Sequence, residues 1–156
     1  MPSPFAFKRL LASGTIAFAV LLPCAASATL GEPEASVQAD GEQLHGSIKD
    51  SDRGTYRVHE IQLPSGTLVR EYSGLDGRVF AVTWHGPFIP NLRQMLGSYF
   101  DEYATAAKTQ PHPDHHHLQI QRSDLVVQSS GHMRAFSGRA YLPQSIPGGV
   151  SLGELQ

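Results

Sequence analysis

A chain of 156 residues with 12 Lys and Arg against 14 Asp and Glu has a formal charge of −2, and no run of basic residues marks a nucleic-acid surface. Its one cysteine, Cys24, excludes an internal disulfide and a cysteine-ligated zinc site. The length is that of one domain with its own core.

The N-terminus reads as an export signal. Lys8 and Arg9 form a positive start, Leu10 to Ser27 carries no charge, and Ile16 to Leu22 is its most apolar stretch. Pro23 breaks a helix there. Ala26-Ser27-Ala28 is a small-residue cleavage site. A membrane-spanning helix needs about 20 strongly apolar residues, and Ser13, Gly14, Thr15 and Pro23 interrupt this one. Residues 1–28 are therefore expected to be a cleaved signal peptide. No transmembrane span would remain, and the protein would be exported to the periplasm or secreted. A lipidation box wants a small residue before its cysteine; Pro23 fits that poorly, so a lipid anchor at Cys24 is not expected.

Residues 29–54 are rich in Gly, Ser, Ala, Asp and Glu and show no sustained period, which reads as a flexible leader. The domain is expected over 55–156. Tyr56 to Leu63 has strand character and ends at the turn Pro64-Ser65-Gly66. Thr67 to Tyr72 is a second strand. Asp76-Gly77 marks a tight hairpin into a third strand, Arg78 to Trp84, whose alternation puts Phe80, Val82 and Trp84 on one face. From the N-cap candidate Asn91, Leu92, Met95, Leu96, Tyr99, Phe100 and Tyr103 recur at the spacing of one amphipathic helix. A polar, histidine-rich loop follows, then short strands at Leu118 to Gln121, Asp124 to Gln128 and Met133 to Tyr141. Ser129-Ser130-Gly131-His132 reads as a hairpin turn. Pro143, Pro147, Gly148 and Gly149 give an irregular C-terminal tail. The expected class is α+β: an antiparallel sheet built from a three-strand meander, one helix, then two or three further strands.

Several groups invite functional readings. The run Pro111-His112-Pro113-Asp114-His115-His116-His117 concentrates imidazoles that bind zinc, copper or nickel, with His112, Asp114, His115, His116 and His117 as candidate ligands. A solvated, compositionally biased loop is the competing account, and no H-E-x-x-H pattern is present. Ser129, Ser130 and His132 juxtapose a nucleophile and a base, with Asp124 as an orienting acid, but triads are recognised by geometry rather than adjacency. Trp84 and His85 at a strand end, with Arg134, Phe136 and Tyr141 from later strands, form a candidate ligand lip. Core packing of Trp84 competes with that reading. The carboxylates Asp50/Asp52 and Asp101/Glu102 read as solvated charge.

Four segments together carry a family resemblance: Leu63 to Tyr72, Val79 to Trp84, Leu92 to Phe100, and Val126 to Tyr141. With these the chain resembles a family of small exported proteins of Gram-negative bacteria catalogued only as a domain of unknown function. The resemblance implies export and a single domain, and it carries no activity, cofactor or catalytic residue. The functional expectation is an exported, non-enzymatic domain that binds an envelope protein or a small ligand. The alternatives are transition-metal binding through the histidine run and a hydrolase using Ser130 and His132.

Overall fold

The computed structural model describes residues 30–109 and 117–156. The signal segment, Cys24 and the histidine run up to His116 lie outside the described residues. Seven strands, β1 (Ser47–Asp52), β2 (Tyr56–Gln62), β3 (Leu68–Gly74), β4 (Val79–Gly86), β5 (His117–Gln121), β6 (Val126–His132) and β7 (Ala135–Tyr141), form one antiparallel sheet. Their order is β1-β2-β3-β4-β7-β6-β5. Two meanders thus meet at the β4–β7 pair, and the protein is α+β.

β4 is central, and Val79 to Trp84 is buried throughout. A strand covered on both faces needs apolar residues without alternation. A bulge adjusts which side each takes: pairing passes from Tyr72↔Ala81 to Ser73↔Val79 and skips Phe80. One extra residue reverses the alternation beyond it. Phe80 therefore joins Ala81 in one core cluster, while Val79, Val82 and Trp84 belong to the other. The expected grouping of Phe80 with Val82 and Trp84 is corrected by that bulge.

The expected single helix is broken. α2 (Leu92–Leu96) starts at Asn91, whose side chain accepts from the Gln94 amide. Gly97, at φ +50°, then ends it, a backbone conformation that glycine adopts without a Cβ penalty. A 3-10 turn leads into α3 (Phe100–Thr109). The apolar stripe survives the break: Met95 and Leu96 are fully buried, and Leu92, Tyr99, Phe100 and Tyr103 pack against the same cluster. Each fully buried Leu or Met stabilises by about 1.5–3 kcal/mol.

The expected leader is also part of the domain. Leu30 and Val37 are core residues. The backbone bonds Gly31 N–H to Val79 O and Val79 N–H to Glu32 O stitch the segment to β4. A 3-10 turn and α1 (Val37–Gln43) follow, then β1 as the edge strand. β1 carries one apolar residue, Ile48, because an edge strand paired on one side needs little apolar surface and is protected by charge. The polar turn expected at Ser129–His132 is instead strand, and the chain reverses at Met133-Arg134, with Arg134 at φ +61°.

The helices cover one face of the sheet. The tail, residues 143–156, folds across part of the other. There Leu155, Ile146 and Val150 pack on Tyr56, Tyr72, Phe80, Val126 and Tyr141. The Tyr56 hydroxyl donates to Glu154 at 3.0 Å, and the Tyr72 hydroxyl to the Gln156 carbonyl at 3.0 Å. Among the described residues no helix is long and apolar enough to cross a membrane.

Candidate functional site

The tail covers only one end of its face. The remainder is an open groove of about 640 Å³ across β3 to β7. Strand register sets its side chains in two rows, since every second residue points to the same face. Leu68, His85, Ser137, Ser130 and His117 are successive cross-strand partners. Arg70, Thr83, Arg139, Gln128 and Gln119 form the second row, two residues along each strand.

The rows are held by local hydrogen bonds. Ser130 Oγ and Ser137 Oγ are 3.2 Å apart. Arg139 Nε donates to Gln128 Oε1 at 2.7 Å, and its Nη1 to the Leu152 carbonyl at 2.8 Å. Arg70 Nε donates to Glu60 Oε1 at 2.7 Å, and its Nη1 to the Gln156 carbonyl at 2.6 Å. The Arg70 bond holds the Glu60 carboxyl below its ordinary range. Both arginines thus fix the tail as the groove's end wall.

The expected ligand lip does not converge. His85 stands in the groove row. Trp84 points to the opposite, helix-covered face, where it is 2% exposed. Phe136 pairs with Gly86 and Gly131, Arg134 sits at the β6–β7 turn, and Tyr141 lies under the tail. Of the candidate metal ligands, His117 is in the groove row; His112, Asp114, His115 and His116 lie outside the described residues. His85 and His117 are three strands apart, roughly 14 Å at the usual strand spacing, too far to share one ion. Among the described residues no group of three or more His, Cys, Asp or Glu is placed to hold a metal.

The serine readings sort by face. Ser129 and Ser130 are adjacent on a strand and point to opposite sides, and the Ser130 hydroxyl meets Ser137. A G-x-S-x-G string that sequence reading passed over does occur, at Gly149-Val150-Ser151-Leu152-Gly153. It lacks the strand-to-helix elbow that exposes a nucleophile. Ser151 instead caps a 3-10 turn, in a reciprocal pair with Glu154.

A triad-like chain lies elsewhere. His59 Nδ1 is 2.8 Å from Asp50 Oδ1, and its Nε2 is 3.0 Å from Ser73 Oγ. Glu34, paired with Arg57 at 3.0 Å, lies 3.4 Å from the same Nε2. The polarity is wrong for a hydrolase: Ser73 is 0% exposed, while the Asp50 side chain is 67% exposed. No acyl group reaches that hydroxyl. The cluster pins β1 and the Glu34 turn to the sheet, so Asp50, solvated as expected, is also a partner of His59. His59→Ala should cost about 1–3 kcal/mol, the usual range for orphaning buried polar groups, measured by urea unfolding. A serine-reactive probe should leave Ser73 unlabelled; labelling in the folded protein would show that this hydroxyl is reachable after all, a site distinct from the expected Ser130 and His132. Sequence reading missed this set because β1 has no strand period.

Fold and groove define a small α+β domain with one covered and one partly open sheet face. The chain belongs to the family described as "Protein of unknown function (DUF2844)", which matches residues 26–155. No curated protein and no solved structure matches it.

Proposed function

We propose that the protein is an exported, non-enzymatic binding protein whose ligand, a small molecule or a segment of an envelope protein, seats in the open-face groove. One observation carries the reading: two registered rows of hydrogen-bonding side chains line a groove whose volume falls within the range of about 300–1,000 Å³ usual for ligand sites. The remaining part of that face is covered by the chain's own tail. Export is supported by the charged, apolar and small-residue pattern of residues 1–28.

Histidine footprinting tests it. His85, His117, His45 and His132 are all exposed and open to diethylpyrocarbonate. Envelope extract should slow modification of His85 and His117 and leave His45 and His132 unchanged. Equal rates at all four with and without extract would dismiss the groove. A second reading, transition-metal binding, is favoured by one placement: His117, the last histidine of the run in sequence, opens β5 on the groove side. Zinc, copper or nickel alone would then protect His117 and not His85.

A further inference from the structure

We infer that the groove selects an organic anion and seats its acid group at Arg139, beside the Ser130–Ser137 hydroxyl pair and His85. The inference rests on the groove being the binding site and adds the chemistry of what it binds.

The first ground is charge. The chain has 14 acidic residues to 12 basic ones, yet no Asp or Glu side chain lines the groove, while two arginines and two histidines do; the main-chain oxygen of Gln156, which also lines it, is taken up by Arg70 and the Tyr72 hydroxyl. The second ground is a missing counter-ion. Arg57, Arg70, Arg93 and Arg122 each lie within reach of a carboxylate. Arg139 is half-buried and has none among the described residues. A partly desolvated cation without an anion is unfavourable. Its two bonds go to neutral acceptors, Gln128 Oε1 and the Leu152 carbonyl, through Nε and Nη1. Those bonds fix the guanidinium plane and leave Nη2 with no partner among the described residues. A charged donor held in place by its neighbours is the arrangement that recognises carboxylate or phosphate oxygens.

The third ground is the supply of further donors. Two hydroxyls 3.2 Å apart hold two hydrogens, and their mutual bond uses one. The other is available to a ligand. His85, the cross-strand partner of Ser137, makes no hydrogen bond among the described residues and presents a ring N–H. Arg70 is different: Glu60 already compensates its charge, so it walls the groove and does not anchor. Leu68, at the end of the same row, offers an apolar surface for the body that carries the acid.

Three probes with one chain length separate the elements: octanoate, octyl phosphate and octan-1-ol, each titrated into the protein and followed by backbone amide shifts. Saturable shifts at His85, Ser130, Ser137 and Arg139 are expected with both acids, and affinity at least tenfold weaker with the alcohol. Arg139→Gln should bring the acids down to the level of the alcohol, and Arg139→Lys should retain part of the difference. The ranking of the two acids tells which oxyanion the site prefers. The acid-to-alcohol ratio is read on the unaltered protein, so it does not depend on how a variant folds. Equal affinity for acid and alcohol in the groove overturns the anion inference and leaves the groove reading intact. Groove residues unmoved by all three probes, with the histidine footprint still protected by extract, do the same.

Discussion

Trp84→Ala should be the most damaging single truncation in the protein, lowering unfolding free energy by about 3–5 kcal/mol, the range for deleting a buried Phe or Trp side chain. Domains of this size have roughly 5–15 kcal/mol in total, so the variant loses at least about a fifth of it. The reason is position. Trp84 lies in the central strand, 2% exposed, between β3 and β7. Its ring lies over Gly138, its cross-strand partner. A Cβ at residue 138 would stand 2.2 Å from Trp84 Cζ2 and 2.9 Å from the Gln128 carbonyl oxygen. Glycine at 138 is thus the complement of the indole. Gly138→Ala should therefore be destabilising on its own and distinctly less so in the Trp84→Ala background, where the ring that it strikes is gone. The indole N–H is buried with no hydrogen-bond partner among the described residues, so the contribution is packing. Urea unfolding of the two single variants and the double variant measures the coupling. Additive effects would show that the ring and the glycine are independent.

How far the sequence could be read follows from what each element needs physically. β2, β3 and β4 announce themselves because they bury apolar residues and close with Pro-Ser-Gly and Asp-Gly turns. The helical stripe from Leu92 to Tyr103 is legible for the same reason, even though Gly97 breaks the helix carrying it. β1 is not legible: it is a largely polar edge strand with one apolar residue, Ile48, and its Asp50 finds His59 only once the register exists. The Phe80 bulge also escapes, since a single skipped residue leaves no mark in composition. At the candidate site the same division holds. His85 and His117 are visible as chemistry-bearing residues. Their alignment with Ser130 and Ser137 requires strand order, and β7 reaching back to β4 across the helical segment is a long-range pairing that no local pattern encodes. Arg139 and Gln128 look like ordinary surface polar residues until the tail folds over and leaves them at the end of an open groove.

Glu71→Gln should change how stability depends on pH more than any other conservative substitution. Glu71 is 1% exposed on the helix-covered face of β3 and lies close to Asp40 of α1, which is 0% exposed and accepts from Gln94 Nε2 of α2 at 2.7 Å. His59, the cross-strand partner of Glu71 on β2, is engaged with Asp50, Ser73 and Glu34. Neither Glu71 oxygen has a well-formed hydrogen-bond partner among the described residues. Burial pushes the Glu71 carboxyl well above the usual carboxylate range, and the adjacent Asp40 pushes it further. The folded state therefore holds a proton that the unfolded chain releases near the ordinary glutamate value. The stabilisation is complete below that value and is lost as pH rises from there through the folded pKa, because across that interval the native state binds more protons than the unfolded one. Glu60 and Glu154 act in the opposite sense. The Arg70 bond lowers the first, and the Tyr56 hydroxyl and Ser151 lower the second. Their contributions are present above the ordinary value and fade as pH falls through their folded values. Glutamine at 71 keeps the shape of the protonated acid and has nothing to ionise. The variant should match the parent at about pH 4 and exceed it by about 1–3 kcal/mol at about pH 8, the cost scale of a buried polar group that must stay protonated where the unfolded chain would release its proton. Because the comparison is a difference at each pH, the Glu60 and Glu154 contributions cancel. A stability difference that stays flat between those two pH values would mean that Glu71 ionises as freely in the folded protein as in the unfolded chain, and that the contact between α1 and β3 carries no proton.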